Sequence, residues 1–183
     1  MTGLGARGVV EQVNARVADD LESLVAAHRQ GVHRYLCRIV GSADTAHDLT
    51  QEVFLRASRA GVPETTDTGQ RAWVFRIARN LALNHLRDGR RRPEPMALVE
   101  RGTAATQELQ MAVREALAAL PDVDRDVFLL RESVGLSYDE IAAACDLTAN
   151  AVGLLLHRAR LTLREVLGGP VGKRRSGGVR WTP

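Results

Sequence analysis

An all-α fold, two small helical domains joined by a flexible linker, follows from three features of the sequence. Apolar residues recur at helical spacing along most of the chain, whereas alternating valine-rich runs are scarce and aromatics make up only 4%. Helix start signals stand where apolar runs begin, most clearly at Ser137 and Thr148. A proline-rich stretch, Pro93 to Thr106, interrupts the periodicity in mid-chain.

With 183 residues, 45% of them hydrophobic, the chain can bury one core or two modest ones. Its formal charge is only +3, so the distribution of charge matters more than the total. No apolar run approaches the ~18 residues of a membrane span, and the N-terminus lacks a charged-then-apolar signal. No membrane insertion is expected, and a cytoplasmic location is. Cys37 and Cys145 lie far apart without C-x-x-C spacing, the usage of reduced thiols.

Residues 1–19 hold three glycines and read as a mobile N-terminal arm, partly helical near Val9 to Val17. A first domain is expected over 20–92. Leu21, Leu24, Val25, Val32, Leu36, Ile39 and Val40 mark one face of its first helix. His33 and Cys37 are four apart there, but two ligands do not close a zinc site. Gly41-Ser42 separates this helix from the next, Ala43 to Ala60, which Ser42 can cap. Asp44, Asp48 and Glu52 are spaced by four on the side opposite Ala46, Leu49, Val53 and Ala57, with Gln51 beside them. Like charges at that spacing cost about 0.2–0.5 kcal/mol per pair. The row fits a basic protein partner or a solvated face.

After a turn-rich loop, Gly61 to Gly69, a third helix carries Val74, Ile77, Ala78 and Leu81 inward. Seven arginines, Arg71, Arg76, Arg79, Arg87, Arg90, Arg91 and Arg92, stand against the single acid Asp88. Trp73 and Phe75 lie among them. Arginines track phosphates and aromatic rings stack on unpaired bases, while Asn80, Asn84 and His85 can read base edges. The bland alternative is a solvated basic side with two core aromatics.

The linker is placed at 93–106 and a second domain at 107–167. Leu109, Val113, Ala116, Leu117 and Leu120 give its first helical face, and Pro121-Asp122 starts a helix with Val123, Val127, Leu130 and Val134, closed by Gly135. Ser137 with Glu140 forms a capping box. Ile141, Ala142 and Cys145 follow on a short helix. Thr148 is a candidate N-cap for a second, with Val152, Leu156, Ala159 and Leu163 on one face. Two short helices across a tight turn, the second ending in His157-Arg158-Ala159-Arg160, read as a helix-turn-helix, which sets its second helix in the DNA major groove. An ordinary helical hairpin is the alternative. Residues 168–183, with four basic side chains and five glycines, read as a basic disordered tail.

DLTQEVFLRASRA with RAWVFRIARNLALNHLRDGRRR resembles the second conserved sigma domain, and LPDVDRDVFLLRESVGLSYDEIAAACDLTANAVGLLLHRARLTLRE the fourth. In this order, with a short linker, they resemble an extracytoplasmic-function sigma factor of bacterial RNA polymerase. The resemblance implies that Asp44, Asp48, Gln51 and Glu52 dock on core RNA polymerase. It implies that Arg71, Trp73, Arg76, Arg79, Asn80, Asn84 and Arg87 hold the melted non-template strand of the minus-ten promoter element. Thr148, Asn150, Leu154, His157, Arg158 and Arg160 then face the duplex minus-thirty-five element. An anti-sigma protein is a further partner the resemblance allows. Opening the strand costs about a few kcal/mol per unstacked step, offset by stacking and phosphate contacts. No cofactor, metal or catalytic group is implied, since polymerase carries out the chemistry. The five histidines also lack ligand or triad spacing, and no Gly-rich phosphate loop is present.

The chain departs from the family pattern in two places. Recognition helices there often read T-V-K-S-R-L-H-R-A-R, where this chain has Ala151-Val152-Gly153-Leu154-Leu155-Leu156-His157-Arg158-Ala159-Arg160. Weak upstream binding is expected, through phosphates at Arg158 and Arg160. Outward Leu154 and Leu161 are open to thymine methyls or to a regulatory protein. His47 replaces a frequent acid and would make docking mildly pH-sensitive. The rival functions are a free-standing helix-turn-helix regulator and a sigma-like interaction protein with weakened promoter readout.

Overall fold

The computed structural model describes residues 4–88 and 104–168, and every regular element among these is helical. The helices are α1 (Leu4–Val40), α2 (Ala43–Ala60), α3 (Asp67–Asp88), α4 (Ala104–Ala118), α5 (Asp122–Leu129), α6 (Tyr138–Cys145) and α7 (Ala149–Gly168). α5 continues into a π-helical turn, Leu130–Val134. α1, α2 and α3 pack pairwise into an N-terminal lobe; α5, α6 and α7, with α4 leaning on α7, form a C-terminal lobe.

Local signals explain most of the boundaries. Ser42 Oγ accepts from Thr45 N at 3.3 Å and starts α2 where the sequence places it. Gly135 ends the π-helical turn with φ +76°, a conformation an L side chain resists. Ser137 and Glu140 complete their capping box: Glu140 N donates to Ser137 Oγ at 3.2 Å and Ser137 N to Glu140 Oε2 at 2.6 Å. Thr148 Oγ1 accepts from Ala151 N at 3.2 Å at the head of α7.

Three boundaries differ from expectation. α1 begins at Leu4, so residues 4–19 prolong that helix and do not stand apart as an arm. Adding residues to an existing helix is far cheaper than nucleating one. α3 starts at Asp67, inside the expected loop, because Thr66 Oγ1 caps Gly69 N at 3.2 Å. α4 starts at Ala104, inside the expected linker. Arg90, Arg91, Arg92, linker residues 93–103 and tail residues 169–183 lie outside the described residues.

The two lobes share one core. Leu24, Val32, Tyr35, Leu36, Val53, Phe75 and Ala78 from the first join Val127, Leu130, Leu136, Ile141 and Leu156 from the second in a continuous buried cluster. α3 against α6 is the principal contact between lobes, and α1 adds contacts to α5 and the π-helical turn.

Candidate nucleic-acid and protein interfaces

The acidic row lies where the sequence puts it. Asp44, His47, Asp48 and Gln51 are exposed on α2, and Glu52 is half-buried. Asp48, Gln51 and Glu52 line a shallow open depression together with Leu55, which is 45% exposed. An apolar side chain amid acids suits a protein partner better than a purely solvated face does. Leu55 went unnoticed in the sequence, although its place one turn after Gln51 and Glu52 was the available signal. Glu52 is partly neutralised by Arg56 Nε at 2.7 Å, and His47 Nε2 sits 2.8 Å from Gln51 Nε2.

α3 divides its candidates between two faces. Trp73, Arg76, Asn80, Asn84 and Arg87 are spaced by three and four along one stripe. Arg76, Asn80, Asn84 and Arg87 are exposed there, and Trp73 is half-buried against the core with part of its ring open. Phe75, by contrast, is buried and packs edge-on against Tyr35, with ring centroids 6.1 Å apart. It is a core residue and has no face for a base.

Arg71 and Arg79 turn toward the C-terminal lobe. Arg79 Nε donates to Asp126 on α5, which also accepts from the Tyr35 hydroxyl. Burial works against the Arg79 charge, but the Asp126 carboxylate outweighs it and holds the guanidinium above its usual value. Arg71 Nη2 donates to the Val134 carbonyl at 2.7 Å, and Nη1 lies 3.4 Å from Glu140 Oε1.

On α7, Asn150, Leu154 and His157 are exposed, Leu154 to 73%. Thr148 is spent on its cap. Arg158 forms a two-pronged pair with fully buried Asp124, at 2.6 and 2.5 Å, which lifts its basicity. Arg160 pairs with Glu132 at 2.9 Å. Arg158 therefore ties α7 to α5 and Arg160 ties it to the π-helical turn, while both side chains stay exposed. His33 and Cys37 are 3.5 Å apart, and no group of three metal-binding side chains occurs among the described residues.

A helical lobe showing an acidic face and a cationic-aromatic stripe, followed by a capped helix-turn-helix, is the architecture of a two-lobed helical protein with candidate protein and nucleic-acid interfaces. The models for sigma-70 region 2 and sigma-70 region 4 match residues 24–92 and 110–163. The ECF RNA polymerase sigma factor SigC of Mycobacterium tuberculosis is 34% identical over 150 residues, covering 76% of this chain and 79% of its own. The ECF RNA polymerase sigma-E factor of Escherichia coli is 32% identical over 170 residues, covering 83% and 88%. SigI of Mycobacterium tuberculosis is 30% identical over 162 residues, and there the chain spans only about half of the relative, 55% of its length. Among solved structures, CnrH in complex with the cytosolic domain of CnrY aligns with TM-score 0.64 and 25% identity, over 84% of this chain and 94% of CnrH. The sigma factor RpoE of Bartonella quintana, solved with the anti-sigma factor NepR, has the same fold, with TM-score 0.66 and 22% identity over 82% and 98%. The chain belongs to the extracytoplasmic-function sigma factors of the sigma-70 family.

Proposed function

We propose that this chain is a transcription initiation factor that binds core RNA polymerase through α2 and promoter DNA through α3 and α7. The carrying observation is that the two charged surfaces are separate. Asp44, Asp48, Gln51 and Leu55 are open on α2, while Arg76, Asn80, Asn84 and Arg87 are open along α3, with half-buried Trp73 at the head of their stripe. One protein can then hold an enzyme and a melted strand together. On α3, cations neutralise phosphates and the Trp73 ring offers a stacking face. On α7, Asn150, Leu154, His157, Arg158 and Arg160 are exposed, and the pairing of the two arginines with Asp124 and Glu132 goes with weak readout there. No helix among the described residues is long and apolar enough to cross a membrane. The complexes of CnrH with CnrY and of RpoE with NepR support a protein regulator as a further partner.

The test is transcription with core polymerase on pooled genomic DNA, followed by sequencing of transcript 5′ ends. Starts that depend on the protein and share an upstream element are expected. The double change Asp48→Lys with Glu52→Lys should abolish co-purification with polymerase, whereas Arg76→Ala with Arg87→Ala should preserve it and lose the starts. Polymerase that ignores the wild-type chain would end the proposal.

A further inference from the structure

The outward stripe of α7 carries no arginine where the helix would enter a groove. At about 100° per residue, Asn150, Leu154, His157 and Leu161 fall within about 60° of one another. All four are exposed, and Leu154, at 73%, is the most exposed large apolar side chain among the described residues. Arg158 and Arg160 stand about 80° to either side of Asn150. Both are exposed, yet Arg158 spends Nε and Nη2, the fork that guanine would require, on fully buried Asp124. Arg160 Nη2 is held by Glu132. Gly153 offers no side chain and sits beside Tyr138. Arg164 shares the outward side but lies fourteen residues past Asn150. That is about 21 Å along the axis, beyond the N-terminal residues that meet base edges.

We propose that α7 selects adenine–thymine pairs and no guanine: Leu154 packs on a thymine 5-methyl, and Asn150, one turn before it, holds adenine N6 and N7. The inference rests on the reading of α7 as the duplex-binding helix and adds its base preference. The thymine methyl is the one apolar group on the base edges of the major groove; the rest are donors and acceptors. Over a polar edge Leu154 would displace water and return no hydrogen bond. Asn150 carries one acceptor and one donor group, the pattern that pairs with adenine. Four residues rise about 6 Å along the helix, about two base pairs at about 3.4 Å each, so the two side chains address positions close together. The His157 imidazole N–H suits N7 of either purine and adds no choice. Arg158 and Arg160 border the stripe on the sides where phosphate walls would lie. A protein partner fits this face less well, because Asn150 and His157 interrupt the leucines and arginines flank them.

In the experiment the full-length chain, alone and with core polymerase, selects from duplexes randomised over about one helical turn. The recovered element is then rebuilt with uracil for each thymine in turn, which removes only the methyl. Wild type should recover a shared element with A·T pairs at positions within about two base pairs of each other. At one of them uracil should weaken binding about fourfold, the effect of one buried carbon. Leu154→Ala, at an exposed position the core does not use, should bind both DNAs equally, and Leu154→Arg should move the preference there to guanine. Asn150→Ala should lose an adenine preference of about tenfold. No shared element in either pool, guanine in place of the A·T pairs, or equal binding of thymine and uracil by wild type would each overturn the readout; the last would assign Leu154 to a protein partner. Transcription is scored separately. A uracil effect on binding without any start refutes the functional reading and leaves the readout in place; starts with a flat uracil response do the reverse.

Discussion

His28 shows how one side chain senses the contact between lobes. Burial holds its imidazole below the ordinary 6.5, and Arg71 pushes the same way against the opposing Glu140 and Asp67. A depressed histidine is neutral in the fold but takes a proton on unfolding. Its contribution to stability is thus complete above pH 6.5 and is lost as pH falls through the folded value. The melting temperature should drop between pH 7.5 and 5.5, and His28→Gln should flatten that drop; parallel curves for the two proteins would assign it elsewhere. Cys145 is a second local reporter. Burial pushes its thiol up to about 12, with Asp126 adding to the shift and Arg79 opposing it. At pH 8 about one molecule in 10,000 then carries the thiolate. Iodoacetamide should leave Cys145 unmodified in native protein and label it in urea, as peptide mass spectrometry would show; rapid native labelling would mean the α6 core is open.

Among the elements, α7 carries a removable weakness. Gly153 lies inside the helix, and a Cβ built there meets Tyr138 Cε2 at 3.6 Å, an ordinary contact. No close approach requires glycine at this position. Gly153→Ala should stabilise the protein by about 1 kcal/mol, a rise of about 2–4 °C in a thermal melt; an unchanged or lower melting temperature would show strain not visible in the contact. The helix starts were legible because capping acts across three residues: Ser42, Ser137 with Glu140, and Thr148 all cap as the sequence implies. Thr66 was missed because Pro63 and Gly69 made its surroundings look like one continuous turn. The acidic row and the α3 stripe were legible from helical spacing alone. Buried Asp124 and Asp126 were not. Alternating with Val123 and Val127 they resemble a solvent face, and Arg158, Arg79 and Tyr35 stand 34, 47 and 91 residues away. Leu109 and Val113, read as a buried face, are 64% and 41% exposed, because α4 packs chiefly on α7 and leaves that side open.

At the scale of the whole molecule, one buried cluster spans both lobes. The sequence shows two periodic blocks with a linker between them, which describes two lobes but says nothing of their docking. Whether they melt together depends on the surface between them, and here Phe75 and Tyr35 of the first lobe lie in the same buried cluster as Leu130, Leu136 and Leu156 of the second. Leu156 is fully buried on α7. Leu156→Ala should cost about 2–5 kcal/mol through lost burial and the cavity left behind. If the lobes unfold as one, that loss is felt equally by Trp73, which lies in the other lobe. With Trp181→Phe as the background, Trp73 fluorescence and far-ultraviolet circular dichroism should shift together to a lower midpoint and retain a single transition. A Trp73 midpoint that stays in place while the helical signal splits in two would show that the lobes fold independently and that their contact adds little to stability.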